Sequence, residues 1–241
     1  MNSKNRINFK FFSKNYGFSK GIYKSLNCGK FSKDNPELIK KNIDYAKNKM
    51  NLLNRVLVIP HQSHSNNCLI INKESDNKGN ADALVTNSSN LILGITTADC
   101  IPLIFFDNEN YNIGICHAGW KGLSNGIIEK TIEKMILIGS SINSINVVIG
   151  PCIRKYSYEI NYDFLNNFKL PKTNPYSSLR GNRLYFNLPK FATNILQNQN
   201  IRSIKDYKKN TYLDVNYFSY RQSKHRKYSD YGRNLSLVAI K

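Results

Sequence analysis

The sequence lacks a long apolar run and a disulfide pattern, and no signal peptide is expected. No apolar run approaches the ~18 residues that a membrane-spanning helix needs, so no membrane partner is expected. The residues up to Tyr16 are basic without a continuous apolar stretch, which argues against a signal peptide. The cysteines are odd in number and irregularly spaced, which favours a reducing compartment and predicts a cytoplasmic location. They lie at positions 28, 68, 100, 116 and 152.

Acidic residues are also scarce: 16 Asp and Glu stand against 35 Lys and Arg, giving a formal net charge of +19. Such an excess favours an anionic partner, either a nucleic acid or a small anion such as phosphate. The lysines are spread from Lys4 to Lys241 without a compact block. We therefore do not expect a nucleic-acid partner, whereas a small anionic substrate fits the charge.

Familiar catalytic motifs are missing too. The sequence contains no P-loop, no H-E-x-x-H and no dinucleotide-binding fingerprint. The nucleobase-deaminase signature fails because Pro151-Cys152 is followed by Ile-Arg-Lys. The segment 17–21 matches G-x-S-x-G, but no helical periodicity follows it, so a turn is preferred to a serine hydrolase.

The remaining pattern alternates strands with helices. Residues 5–12 predict a strand, and Asp34-Asn35-Pro36 predicts the start of a helix that runs towards Met50. The runs 101–106 and 111–117 predict an antiparallel hairpin. Further strands are predicted at 56–59, 91–96, 145–149, 203–207 and 235–240, and further helices at 122–138 and 188–199. The expected fold class is α/β with mixed sheets, in one domain spanning 1–241, because no change of composition marks a boundary.

Three residues at strand ends are candidate metal ligands. His64 follows the strand at 56–59, Cys100 follows the strand at 91–96, and His117 ends the strand at 111–117. Two imidazoles and one thiolate with one open position are typical of a catalytic zinc. The same residues also allow Cys100 to act as a nucleophile with His117 as its base, oriented by Asp99. Both interpretations need a deprotonated Cys100, so spacing alone leaves them open.

Two arginines near the C-terminus are candidates for binding phosphate. Arg221 and Arg233 belong to the basic segment 218–233. A guanidinium can bind a phosphate through two parallel hydrogen bonds.

These blocks together resemble the YfiH/laccase-domain family, also called multicopper polyphenol oxidase-like proteins or peptidoglycan editing factors. The resemblance runs nearly end to end, and its most specific parts are 97–100 and 117–122, which contain the only tryptophan, Trp120. The other matching segments are 17–19, 25–27, 62–65, 81–83, 150–153, 158–160, 218–221 and 232–233.

The resemblance implies a layered α/β/β/α domain that holds one zinc ion through His64, Cys100 and His117. It also implies phosphorolysis of adenosine, inosine and S-methyl-5′-thioadenosine, with adenosine deaminase as a second activity. Copper oxidation is not expected, because a multicopper oxidase needs many more histidines than the four in this chain. The predicted partners are purine nucleosides and phosphate, and the chain is expected to be a monomer or a weak homo-oligomer.

The remaining candidate residues surround this site. We interpret Asp99 and Arg221 as polar groups that support catalysis, with Trp120, Lys121 and Arg221 as substrate contacts. The sequence departs from the family pattern at 14–15, 16–17 and 210–211, none of which removes a ligand. The alternative function is a cysteine-dependent amide hydrolase that edits peptidoglycan precursors. One geometric problem stays open, because one zinc ion cannot lie beside both C6 and C1′ of a nucleoside in one pose.

Overall fold

Short strands and a few helices alternate along residues 6–241, the part of the chain that the computed structural model describes. The strands are β1 (Ile7–Phe11), β2 (Val56–Val58), β3 (Cys68–Ile70), β4 (Ala83–Thr86), β5 (Leu91–Thr97), β6 (Ile101–Asp107), β7 (Asn112–Ala118), β8 (Ile145–Ile149), β9 (Glu159–Ile160), β10 (Ser177–Arg180), β11 (Arg183–Phe186), β12 (Ser203–Asp206) and β13 (Asn234–Ile240). The helices are α1 (Pro36–Asn48), α2 (Trp120–Ser124), α3 (Ile127–Leu137), α4 (Leu188–Asn198) and α5 (Tyr220–His225).

Two mixed sheets pack face to face. One has the strand order β1-β13-β5-β2, and the other has the order β12-β8-β6-β7-β4-β3. Alternate residues of each strand point to opposite faces, so Leu93 and Ile95 meet Ile104 and Ile115 in the core between the sheets. A small third sheet has the strand order β10-β11-β9, and its Leu184 and Phe186 belong to the same core cluster as the six-stranded sheet.

Helices cover both outer faces. Helix α1 begins where Asn35 caps the amide of Glu37 and Pro36 occupies the first turn, and its buried Ile39 and Ile43 pack on the four-stranded sheet. Helices α3 and α4 pack on the six-stranded sheet. The resulting helix–sheet–sheet–helix order confirms the predicted α/β fold with mixed sheets. Within residues 6–241, no helix combines the length and the apolar character that a membrane crossing requires.

Most predicted elements are present, and one was wrong. The predicted hairpin is β6–β7, which pairs antiparallel from Ile101 opposite Ala118 to Asp107 opposite Asn112. The helix predicted at 122–138 is two helices, α2 and α3, because the chain turns at Gly126 with a φ of 83°. Glycine takes that left-handed conformation without steric cost. Helix α2 begins at Trp120, three residues after His117.

Candidate metal centre and adjoining cavities

His64, Cys100 and His117 converge at one end of the facing sheets. One possible ligand atom from each lies within 4.8 Å of the others, and among residues 6–241 this is the one group of three such side chains so placed. Cys100 directly precedes β6, and His117, in the neighbouring strand β7, pairs with Pro102 of β6. His64 comes from the loop after β2. The pairing of β6 with β7 therefore positions Cys100 and His117, and a loop positions His64.

Loop backbones at the site are held in an unfavourable conformation. His64 has a φ of 60° and Asp99 a φ of 84°, in the left-handed region that costs a non-glycine residue about 1 kcal/mol or more. The amide of Ile153 donates to the carbonyl of Asp99 at 2.9 Å, and the amide of His64 donates to Asp82 at 3.1 Å. These bonds keep the loops in the shape that directs both side chains towards the site.

Asp82 orients the histidines. Its buried carboxylate accepts hydrogen bonds from the amides of Ser63, His64 and Ser65, from the Ser65 hydroxyl, and from His117 Nδ1 at 2.7 Å. Burial alone would raise the pKa of Asp82, but these donors, above all His117, lower it to about 2. The ring nitrogen of His117 that remains, Nε2, is therefore left as a ligand atom, an arrangement typical of metal-bound histidines.

The sequence reasoning assigned no role to Asp82. Its segment was noted only as part of the family resemblance. The available signal was a lone acidic residue at the start of an apolar run, which becomes the fully buried strand β4. Buried carboxylates require partners, and the distant partner His117 is visible only in the fold.

All five cysteines are free thiols, and Cys100 differs from the other four in the direction of its pKa shift. Burial raises its pKa, but the neighbouring His117 and His64 outweigh that effect and lower the pKa to about 6. Conversely, burial lowers the pKa of His117, and Cys100 and Asp82 raise it to about 9. Burial raises the pKa of Cys28, Cys68, Cys116 and Cys152. Cys100 is thus the thiol that is ionised near neutral pH, as a ligand or a nucleophile must be.

The donor set fits zinc. Nitrogen and thiolate ligands of a tetrahedral zinc ion lie about 3.6 Å apart, given bond lengths near 2.1 and 2.3 Å. His64 Nε2 lies 3.9 Å from Cys100 Sγ. The bond from His117 to Asp82 supplies the outer partner that such a ligand usually has.

Asp99 connects the site to the C-terminal third of the chain. Its buried carboxylate accepts hydrogen bonds from Thr211 Oγ1 at 2.7 Å, from Ser219 Oγ at 2.9 Å, and from the amide of Arg221 at 2.7 Å. Burial raises the pKa of this carboxyl even with those donors. Both oxygens of Asp99 are engaged, so the side chain positions the segment 211–221 beside Cys100.

A first cavity of about 340 Å³ opens beside the ligands. Trp120 forms part of its wall and packs on Phe164 with ring centroids 5.5 Å apart. Arg221 also lines it, donating to the carbonyl of Glu159 at 3.0 Å and lying 5.4 Å from the centre of the Tyr158 ring. The other lining residues are His64, Ala98, Asp99, Cys100, Ile153, Ile160, Asn161, Leu188 and Tyr220. These aromatic and aliphatic walls suit a flat ligand.

Lys121 has a different position from the other predicted substrate contacts. It is exposed, and its ammonium lies 5.5 Å from the centre of the Trp120 ring. Lys121 stands outside the described lining of the first cavity, which Trp120 joins.

A second cavity of about 190 Å³ also adjoins the ligands. Both cavities are lined by His64, Ala98 and Cys100, and the second also reaches His117. Its remaining lining residues are Cys28, Lys30, Phe31, Ile59, Pro60, His61, Gln62, Thr96, Thr97, Tyr231 and Arg233. The two phosphate candidates are therefore separated, with Arg221 in the first cavity and Arg233 in the second.

Fold and site define a class of four-layer α/β proteins with a His-Cys-His centre that adjoins two cavities. Residues 8–241 match the model of the family described as multi-copper polyphenol oxidoreductase laccase, and the chain belongs to that family. This finding confirms the resemblance seen in the sequence blocks.

Similar proteins include curated enzymes and a solved structure. A purine nucleoside phosphorylase of Rickettsia prowazekii is 31% identical over 190 residues, covering 77% of this chain and 78% of that protein. A purine nucleoside phosphorylase of Staphylococcus saprophyticus is 30% identical over 239 residues, covering 92% and 87%. The crystal structure of YfiH from Bacillus licheniformis superposes with a TM-score of 0.87 at 25% identity, over 98% of this chain and 94% of that one.

Proposed function

We propose that this chain, as one domain over 1–241, is a zinc-dependent purine nucleoside phosphorylase acting on adenosine, inosine and S-methyl-5′-thioadenosine. We assign adenosine deamination to the same site as a second activity. The observation that carries the proposal is the convergence of His64, Cys100 and His117 beside a cavity with aromatic walls. The names of the similar curated proteins agree with the first activity.

Zinc is favoured over copper by the chemistry of the donors. A blue-copper centre also uses two histidines and a cysteine, but it adds an axial methionine or similar weak ligand and excludes substrate. Among the described lining residues of both cavities there is no methionine, and the cavities open directly onto Cys100 and His64. An open fourth position facing a substrate cavity is typical of catalytic zinc.

The side chains of this chain bind and orient the substrate. Trp120 and Tyr158 offer faces on which a purine stacks, and Arg221 lies at the same wall. Asp99 holds that wall in place, and Asp82 keeps His117 in the tautomer that presents Nε2. Zinc bound there would supply positive charge and acidify a water molecule. The fixed donors and the enclosed cavity orient the nucleoside for reaction.

The two activities require different ends of the nucleoside at the site. Phosphorolysis occurs at C1′ of the ribose, and deamination occurs at C6 of the purine. Because two cavities adjoin His64 and Cys100, a nucleoside can present either end to the ligands in two orientations. We propose two such binding modes.

The direct test incubates purified protein with inosine and phosphate and measures hypoxanthine and ribose 1-phosphate. The same protein with adenosine is assayed for inosine and ammonia, and S-methyl-5′-thioadenosine for adenine. We expect one zinc ion per chain by elemental analysis. His64→Ala should lose the zinc and these activities, whereas His225→Ala, whose ring contacts Tyr212 away from the site, should keep both. Zinc retained at full occupancy by His64→Ala would contradict the ligand assignment.

A second candidate function is a cysteine-dependent amide hydrolase acting on peptidoglycan precursors. It is favoured by the same geometry, since Cys100 Sγ and the His117 ring lie within reach of each other and both histidines help to ionise the thiol. Metal removal distinguishes the two. A chelated enzyme should lose phosphorolysis, but a thiolate hydrolase would gain or keep peptide cleavage and lose it in Cys100→Ala.

The proposed setting is that of a soluble enzyme in the cytoplasm. Its partners are purine nucleosides and phosphate, and we propose a monomer or a weak homo-oligomer. Size measurement by light scattering at several concentrations tests the last statement.

A further inference from the structure

The two cavities differ in charge. The second cavity is lined by the cations Lys30 and Arg233 and by His61, and its described lining contains no Asp or Glu. The first cavity has the acidic residues Asp99 and Glu159 in its wall beside the cation Arg221, whose guanidinium already donates to the carbonyl of Glu159. An anion placed in the second cavity therefore meets positive charge without facing a carboxylate, whereas the first cavity favours a neutral, flat group.

Arg233 is a guanidinium held in place without an acidic partner. It is half-buried, and its Cζ lies 4.4 Å from the centre of the Tyr231 ring. Its chain packs on Gly29, where a Cβ atom would come within 2.8 Å of Arg233 Cδ, so only glycine leaves room for it there. Among the ion pairs of residues 6–241, Arg233 has no partner.

The neighbouring acidic residue is already engaged. Asp230 Oδ2 accepts hydrogen bonds from the amide of Lys33 at 2.7 Å and from the Tyr23 hydroxyl at 2.8 Å. The guanidinium of Arg233 donates a long hydrogen bond of 3.5 Å from Nη1 to the carbonyl of Tyr231, while the backbone amide of Arg233 donates to Asn27 Oδ1 at 2.9 Å. A rigid guanidinium with donors to spare is suited to bind an oxyanion through two parallel bonds.

We infer that the second cavity is the oxyanion subsite, in which Arg233 and Lys30 bind the phosphate co-substrate while the nucleoside occupies the first cavity. This inference rests on the proposed function. The volumes of about 190 and about 340 Å³ agree with a small anion in one cavity and a nucleoside in the other. Both cavities share His64, Ala98 and Cys100, so the reacting atoms meet at the ligands.

The arrangement fits the bond changes of phosphorolysis. A phosphate oxygen forms a bond to C1′ while the C1′–N9 bond breaks, and the bonding pair leaves with the purine. The proton lost by hydrogen phosphate ends on the purine, so that atoms and charge balance. The attacking oxygen must approach C1′ from the side opposite N9, and two cavities that both adjoin His64 and Cys100 give the phosphate and the nucleoside separate places beside the reacting atoms.

The test compares three substitutions that each remove one positive charge. In the zinc-loaded enzyme, Arg233→Gln should raise the KM for phosphate about 10- to 100-fold, as expected for a lost charge-assisted hydrogen bond. Lys30→Gln, at an exposed rim position, should raise it several-fold. The matched control is Arg180→Gln, an exposed arginine on β10 outside the two cavities, which should change it less than about 2-fold. Arg233→Lys should restore part of the loss.

Other readouts separate this role from general damage. Arg233→Gln should leave the KM for inosine, the zinc content and adenosine deamination close to those of the wild type, because none of these uses phosphate. Sulfate should inhibit competitively against phosphate. Titration calorimetry with inorganic phosphate alone should show binding to the wild type that is weakened in Arg233→Gln.

The outcomes distinguish the subsite from the proposed function. If the wild type makes no hypoxanthine but binds phosphate in an Arg233-dependent way, the function is wrong and the subsite stands. If phosphorolysis occurs and Arg233→Gln shifts the KM for phosphate no more than Arg180→Gln does, the subsite is wrong and the function stands. Should Arg233→Gln fail to fold, Lys30→Gln decides, and an unchanged KM for phosphate there overturns the inference.

Discussion

The role of Asp82 can be tested by replacing it with asparagine, which keeps the shape but removes the charge and one acceptor oxygen. Oδ1 accepts from His117 Nδ1 and from the amide of His64, and Oδ2 accepts from the amide and hydroxyl of Ser65 and the amide of Ser63. Whichever oxygen becomes an NH₂ group, at least two N–H donors lose their acceptor. At about 1–3 kcal/mol for each of two donors, the free energy of unfolding should fall by about 2–6 kcal/mol.

Zinc affinity should fall as well, because His117 loses the anion that fixes its tautomer. Loss of such an outer partner typically weakens metal binding about 10- to 100-fold. Competition against a chromophoric chelator measures the affinity, and denaturant unfolding of the zinc-free protein measures the stability.

A matched control separates these two effects. Asp107 is also fully buried and accepts hydrogen bonds from the amides of Glu109 and Asn110, from the Asn110 side chain and from Ser144, at the other end of β6. Asp107→Asn should destabilise the fold and leave the zinc affinity of the folded protein unchanged. The reasoning is refuted if Asp82→Asn binds zinc within about 3-fold of the wild type, or if Asp107→Asn weakens zinc binding equally.

Three further predictions follow from the site. The pKa of Cys100 is lowered from 9.0 to about 6, so its thiolate forms above that pH, and alkylation of the zinc-free protein should reach half its maximal rate near pH 6. Cys68, whose pKa is raised to about 12, should stay unreactive. Mass spectrometry of the alkylated peptides measures both cysteines. Gly119→Ala puts a Cβ 2.9 Å from His64 Cδ2 and 3.1 Å from Cys100 Sγ, so zinc affinity should fall about 10-fold in the chelator assay. An unchanged affinity would mean that His64 and Cys100 can shift to accommodate the added Cβ without losing the ligand geometry. Trp120→Ala should raise the KM for inosine about 10-fold through lost stacking and leave the KM for phosphate unchanged. If steady-state kinetics showed both KM values rising together, the assignment of Trp120 as a stacking partner of the purine would be wrong.

The sequence allowed a correct prediction of the parts that depend on local pattern. Two apolar runs around a short turn predicted the β6–β7 hairpin, which by itself brings Cys100 near His117. Helix α1 was predicted from its capping residues and apolar spacing. His64 was grouped with the other two side chains as a candidate ligand because it follows a predicted strand, but that spacing left a nucleophile–base pair equally open, and the family resemblance then implied the three-ligand set.

The parts that were missed depend on contacts between distant segments. Strands β3 and β9 have only three and two residues, too few to show alternation, and they form by pairing with neighbours. The break at Gly126 was hidden because apolar residues continue in helical spacing on both sides of it. The division into two cavities of different charge arises from loops around Lys30, Glu159 and Arg233, which no single stretch of sequence brings together.

The hydrogen bonds of Asp99 have a consequence for the order in which the protein assembles. They join Asp99 to residues that lie 112, 120 and 122 positions further along the chain. The β6–β7 hairpin, in contrast, pairs neighbouring strands across a short turn. Closing a long loop costs more chain entropy than closing a short one, and contacts between distant residues slow folding. During refolding we therefore expect zinc-binding capacity to return before nucleoside-binding capacity, because the segment 211–221 completes the aromatic cavity last.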